Sequence, residues 1–341
     1  MKYYILKDEN AVYYECGFSC DNEIFLKLEN DSFFITDSRY TQEAKEKIKT
    51  TEVIDGKRDL IKTTREILKK NNIKKIYYNP KEWSVYEFEK LSTNSKVLFK
   101  ASVNFSQKKR IIKTAQEIDM LKQAVKIGTD GFERFAKYLN KNGIDKEELF
   151  LHFQAENELK NFGLYDLSFS PIIAINENAS KPHSLPTTKK LQQKNLLLMD
   201  AGVKYKRYCS DRTRTSIFDE NLNFEKKQNF KNTKKQKVYD IVLKAQEEAI
   251  KHIKPGIKSC EIDKIAREVI DSNGFGDYFI HSTGHGVGLD IHELPIISAK
   301  SEIVLEENMV FTVEPGIYIP NEFGVRIEDM VRVTSNGVEV L

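Results

Sequence analysis

At 341 residues, 40% of them hydrophobic and 31% charged, the chain is long enough for two separately packed cores. Its 54 basic and 51 acidic residues leave a net charge of +3, which makes no electrostatic case for a nucleic acid or a membrane surface as partner. No run approaches the ~18 consecutive apolar residues of a membrane span, and the opening Met1-Lys2-Tyr3-Tyr4-Ile5-Leu6-Lys7-Asp8 has too short an apolar stretch for a signal peptide, so a cytoplasmic location is expected.

Residues 1–113 read as an α/β domain. Cys16 and Cys20 make a lone C-x3-C with no second pair, a weak zinc signal; with Cys209 and Cys260 they are expected as reduced, structural thiols. Residues 23–28 and 32–36 are strand-like runs separated by Glu29-Asn30-Asp31, which predicts a hairpin. Residues 59–70 carry Leu60, Ile61, Ile67 and Leu68 on one side and predict a helix. Residues 73–78 predict a strand ended by Asn79-Pro80.

The basic run Gln107-Lys108-Lys109-Arg110 marks a boundary, and residues 114–341 are expected to form the second domain. Its first helix has Ile118, Leu121, Val125, Gly128, Phe132, Phe135 and Leu139 at alternating steps of three and four. Strands are predicted at 171–175, 195–201, 213–218, 309–313 and 325–333. Two further helices are predicted, one over 236–253 stopped by Pro255-Gly256, the other beginning after Ser259 as N-cap with Ile262, Ile265, Ala266 and Val269 inward. The lysine-rich block 226–237 reads as a solvated loop and helix start. This order lacks the regular βαβ rhythm of a doubly wound sheet. No phosphate loop, dinucleotide fingerprint or nucleophile elbow is present, and nothing helix-like follows Gly284-His285-Gly286-Val287-Gly288.

The chemistry-bearing residues lie in the last 160 or so positions. Asp200 ends the apolar run Leu196-Leu197-Leu198-Met199, where a carboxylate is costly unless paired. Asp211 follows eleven residues later, and two strands joined by a tight turn would bring the two side by side. Such a pair needs a counter-charge: a metal, or Arg212 or Arg214. His281, His285 and His292, three of six histidines, fall within twelve residues among glycines that let the backbone bend. Glu314 and Glu328 each interrupt an apolar strand with a charge. Four carboxylates and an imidazole would neutralise two divalent ions. Oxygen-rich ligation suits Mn2+, with Co2+, Fe2+ or Zn2+ also open.

Asp200, Asp211, His285, Glu314 and Glu328 resemble the five metal ligands of the pita-bread (M24) metallopeptidases, which include methionine aminopeptidase, Xaa-Pro aminopeptidase and prolidase. Glu314-Pro315-Gly316-Ile317-Tyr318 resembles the E-P-G-x-Y of the proline-specific branch, and Arg326-Ile327-Glu328-Asp329 its R-I-E-D. Lys181-Pro182-His183-Ser184 resembles its P-H segment, and Phe34-Ile35-Thr36-Asp37-Ser38-Arg39-Tyr40 a stretch of its N-terminal domain.

The resemblance implies an α/β (α+β) chain: a C-terminal pita-bread domain and a smaller, creatinase-like N-terminal one. It implies that Asp200 chelates one metal, that His285 and Glu314 bind the other, and that Asp211 and Glu328 bridge. A metal-bridging water would be the nucleophile, with Glu314 moving its proton to the leaving nitrogen. His183, His281 and His292 would hold substrate, and Arg326 would orient ligands. A homodimer acting on proline-containing peptides is implied too. The reading favours an Xaa-Pro aminopeptidase; the alternative is a prolidase cleaving Xaa-Pro dipeptides. A methionine aminopeptidase, or an inactive peptide-binding relative, fits less well.

Overall fold

The predicted hairpin forms, Glu23–Leu28 against Asp31–Thr36, inside a six-stranded sheet. Tyr3–Leu6 joins it antiparallel, while Glu52–Asp55, Lys75–Tyr78 and Leu98–Ala101 pair in parallel at the flanks. Strand alternation sends Ile5, Ile24, Leu26, Ile35 and Ile76 to one face, under Leu60, Ile67 and Leu68 of the Leu60–Lys70 helix. It sends Tyr4, Leu6, Phe25 and Phe34 to the other, against Ala11, Val12 and Ala44. Asp59 caps the Leu60–Lys70 helix by accepting from the Lys62 amide. Cys16 donates to the carbonyls of Val12 and Phe18, and burial pushes its thiol up to about 12. Burial likewise raises Cys20 to about 11. All four cysteines are unpaired.

This sheet belongs to the first of two compact units, Met1–Arg110; the second is Ile111–Leu341. The computed structural model describes residues 1–341. In the second unit a capping box of Thr114 and Glu117 starts the 28-residue Ala115–Asn142 helix. Phe132, Phe135 and Leu139 of that helix pack on Leu197, Met199 and Ala201. The intervening Leu196 and Leu198 face the opposite way, onto Val238, Tyr239, Val242 and Ala245 of the Thr233–Lys251 helix. The Leu196–Ala201 strand is therefore covered on both faces, which is why its apolar run is unbroken until Asp200. It lies between Ile172–Ile175 and Arg212–Ile217, both antiparallel. A five-stranded sheet (Glu293–Ile297, Gly284–Gly286, Val310–Val313, Asp329–Val333, Val338–Val340) and the Gly316–Ile319/Phe323–Arg326 hairpin complete the framework around the site.

Several expectations change. Residues 325–333 are two strands in two sheets, broken at Ile327-Glu328, where the backbone turns to bring the carboxylate inward. The helix expected from Gln236 begins at Thr233, because Asn232 caps it by accepting from Lys235. Ser259 is the first helical residue of Ser259–Ser272 and Lys258 precedes it as the cap. In that helix Ile262, Ala266 and Ile270 are buried, while Ile265 and Val269 are half-buried. No single apolar stripe signals the Glu148–Lys160 helix: Leu149, Phe150 and Phe153 are exposed opposite buried Leu151, Ala155 and Leu159.

Candidate metal centre

Asp200 shares its strand face with Leu196 and Leu198, and its partner across the ladder is Thr213. By the same alternation Asp211, Thr213 and Thr215 face one way, Arg212 and Arg214 the other. This parity decides the counter-charge. Arg212 donates to Thr129 Oγ1 at 2.7 Å and lies over the Phe132 ring. Arg214 pairs with Asp329 at 2.5 Å and donates to the Glu328 carbonyl. Neither neutralises Asp200 or Asp211. The cation beside Asp200 is Arg326, whose Nη2 sits 2.6 Å from Asp200 Oδ2.

Asp211, His285 and Glu328 come together, with Glu314 beside His285 and Asp200 tied in through Arg326. One ligand atom from each of Asp211, His285 and Glu328 lies within 4.8 Å of the others. His285 Nε2 is 3.5 Å from Asp211 Oδ2 and 3.4 Å from Glu314 Oε1. Its Nδ1 lies against the Gly286 carbonyl, so the proton belongs on Nδ1 and the Nε2 lone pair faces the carboxylates. Burial, then the neighbouring His292, pushes this imidazole down to about 4, away from the charged form. Glu328 Oε2 accepts from Thr213 at 2.6 Å, and Glu314 Oε1 from Thr312 at 3.3 Å.

One oxygen each of Asp200, Asp211 and Glu328 is buried without any hydrogen-bond partner. Buried carboxylate oxygens are rarely left so, and a lone pair aimed at acceptors is repulsive. A cation among them removes both problems, so the residues fit a metal. Without one, burial raises Asp211 and Glu328 well above the ordinary carboxylate range. Glu328, Asp200 and Glu314 add to the rise at Asp211, and Glu314 and Asp200 at Glu328. Burial lifts Glu314 to about 8 against the pull of Arg326.

Beside this cluster runs a chain of hydrogen bonds. Arg326 Nη1 donates to the Tyr318 hydroxyl at 2.8 Å, and that hydroxyl is 2.8 Å from His281 Nε2. His281 Nδ1 is 2.8 Å from the Ser282 carbonyl and must carry the proton, so Tyr318 donates to Nε2. Burial, with Arg326 adding, drives His281 to about 4 and keeps it neutral. Both of its nitrogens are engaged within the protein. The His292 ring stands edge-on to His285 at 4.3 Å, and burial, then His183, lowers its pKa. His183 is exposed on the loop after Ser180. Sequence reasoning passed over Tyr318, Thr213 and Thr312; Tyr318 stood in a quoted motif, while the threonines carried no signal beyond strand parity.

The hairpin holding His285 and His292 is pinned from below. Lys113 and Glu293 are buried and 2.5 Å apart, and the Glu293 carboxylate lies so close to Gly288 that a Cβ there would come within 2.4 Å of it. Lys113→Met would take away the cation paired with this buried carboxylate and is expected to cost ~3–5 kcal/mol. Adding Glu293→Leu should recover much of that loss. Urea unfolding of the single and double variants is the check; equal stability of the two would sever the link.

The family models fit this geometry. Residues 119–335 match metallopeptidase family M24, and residues 1–112 match the Creatinase/Prolidase N-terminal domain. An uncharacterized peptidase of Staphylococcus epidermidis is 44% identical over 232 residues, 68% of this chain and 62% of that protein, so the match spans about three fifths of the relative's length. Among solved structures, an Xaa-Pro dipeptidase from Bacillus anthracis superposes with a TM-score of 0.91 at 32% identity, over 99% of this chain and 92% of the other. An X-Pro aminopeptidase from Thermotoga maritima gives 0.87 at 31% identity, over 100% and 95%. The fold is the pita-bread metallopeptidase fold with a creatinase-like N-terminal domain. The chain belongs to metallopeptidase family M24.

Proposed function

We propose that the protein is a dinuclear metallopeptidase that hydrolyses the bond between an N-terminal residue and proline. The observation that carries this is the meeting of Asp211, His285 and Glu328 within 4.8 Å, with one oxygen of Asp200, Asp211 and Glu328 each buried and unpartnered. Asp200, Asp211, His285, Glu314 and Glu328 would hold two divalent ions, Mn2+ by the oxygen-rich donor set. Bound there, the ions would make water nucleophilic at neutral pH and stabilise negative charge on the substrate oxygen.

The chain's own groups supply the rest. Glu314 would accept a proton from the attacking water and deliver it to the proline nitrogen, which must leave as an amine. Arg326 holds Asp200, Tyr318 and the Pro182 carbonyl in one fork and so fixes their positions relative to one another. His183 and His292 would contact the substrate. His281 would act through its bond with Tyr318. Proline suits such a site because its amide has no N–H for ordinary peptidases to grip.

Cleavage of an Xaa-Pro-Xaa tripeptide by metal-stripped protein given back manganese, and its loss in Glu314→Ala, are the expected results. Absence of cleavage with manganese, cobalt, iron and zinc would refute the reading. The B. anthracis likeness favours a second reading, a dipeptidase, for which only the Xaa-Pro dipeptide would be cut. The unpaired cysteines support a cytoplasmic setting, which cell fractionation would test. Exposed Phe153, Phe162 and Leu164 support the homodimer; sedimentation as one 39.5 kDa species would remove it.

A further inference from the structure

Glu148 is a charged side chain with no exposed surface, outside the metal cluster, and the chemistry proposed above makes no use of it. Its carboxylate is fully occupied. Oε1 accepts from the Ile175 amide at 2.6 Å. Oε2 accepts from Asn178 Nδ2 at 2.8 Å, the Thr187 amide at 2.8 Å and Thr187 Oγ1 at 2.6 Å. Asn178 Nδ2 also donates to the Leu185 carbonyl at 2.9 Å. Ile175 and Asn178 lie before His183, and Leu185 and Thr187 after it. A single buried carboxylate thus ties the two ends of the loop to each other and to the first turn of the Glu148–Lys160 helix.

The loop's other ties are backbone bonds, from the Leu149 amide to the Thr187 carbonyl at 3.1 Å and from the Lys181 amide to the Asn178 carbonyl at 3.2 Å, and the buried Ala179 and Ser184. His183 and Leu185 are exposed, and the Pro182 carbonyl receives one long bond from Arg326 at 3.3 Å. A buried carboxylate is costly unless its acceptor sites are filled, and losing its charge weakens several of these bonds together.

We infer that Glu148 is a positioning residue for His183, setting where this imidazole stands without touching substrate. The role assigned to His183 rests on the peptidase reading; the clamp on the loop does not.

Two measurements separate them. In Glu148→Gln, and more mildly in Thr187→Val, amide exchange over residues 176–187 should quicken ~10-fold or more. The Leu196–Ala201 and Arg212–Ile217 strands should keep their protection and manganese its stoichiometry. Unchanged exchange in the loop overturns the clamp, whether or not the protein cleaves peptides.

In kinetics, Glu148→Gln should lower kcat/KM for an Xaa-Pro peptide ~10–100-fold. In a His183→Ala background the same change should cost less than ~3-fold, because the group it positions is gone. An equal loss in both backgrounds makes Glu148 a general stabiliser and overturns the assignment to His183. If the unmodified protein cleaves nothing, the peptidase reading fails and the exchange result alone judges the clamp.

Discussion

Asp211→Asn is expected to abolish hydrolysis and, in the same molecule, to stabilise the metal-free fold. In the unfolded chain this carboxyl titrates near its ordinary value of ~4. In the folded protein burial, then the charges of Glu328, Asp200 and Glu314, hold its proton on to much higher pH. Between those two values the folded state binds more protons than the unfolded one, so stability falls as pH rises. Glu314 and Glu328 behave alike; for Glu314 the window closes at about 8. Asparagine has nothing to ionise and keeps the shape. The metal-free variant should therefore exceed the parent by ~1–3 kcal/mol at pH 8, with the gap closing toward pH ~4. Manganese should reverse the order, because it raises the melting temperature of the parent and scarcely that of the variant. The loss in kcat/KM should exceed ~100-fold. Melting curves with chelator and with manganese, at pH 4.5 and pH 8, test all of this. A variant less stable than the parent at pH 8 without metal would mean that a group of the protein, not a metal, holds the Asp211 carboxylate.

That double outcome follows from how the site is written into the sequence. Strand parity makes part of it legible. Leu196, Leu198 and Asp200 alternate onto one face, and the register across to Thr213 sets Asp211, Thr213 and Thr215 toward the site. The cluster of His281, His285 and His292 and the isolated Glu314 and Glu328 are visible as charges out of place, and together with the family resemblance they define the whole candidate set.

What stays hidden is pairing across long separations. Arg212 and Arg214 are the arginines nearest Asp211 in sequence, yet parity turns both away, and Arg326, 126 positions from Asp200, takes the role. Lys113 and Glu293 are 180 apart, and Glu148 and Thr187 39 apart. Neither link has a local periodicity that would announce it. Helix ends show the same limit on a smaller scale: Asn232 accepts from the Lys235 amide and Glu261 from the Lys258 amide, bonds that composition does not reveal.

Arg326 is the residue whose replacement should damage the site most broadly. Its three guanidinium nitrogens are all committed: Nε to Thr213 Oγ1 at 3.0 Å, Nη1 to Tyr318 at 2.8 Å and to Pro182, and Nη2 to Asp200 at 2.6 Å. Burial opposes its charge, but Tyr318, Asp200, Glu314 and Glu328 outweigh that and keep it protonated. Arg326→Ala would leave Asp200 unpaired in a buried setting, at a cost of ~3–5 kcal/mol. Arg326→Lys keeps the charge but offers one nitrogen where three are used, so it should restore part of the stability and little of the activity. The charge count gives a reason to expect activity to depend on it. Four carboxylates alone would just balance two divalent ions; the guanidinium would add one positive charge, which would offset that of a bound hydroxide. Chemical unfolding and kcat/KM for Arg326→Ala and Arg326→Lys, each with and without manganese, separate the two contributions. Arg326→Lys within ~5-fold of the parent in kcat/KM would show that charge alone suffices, and that the fork through Tyr318 to His281 is dispensable.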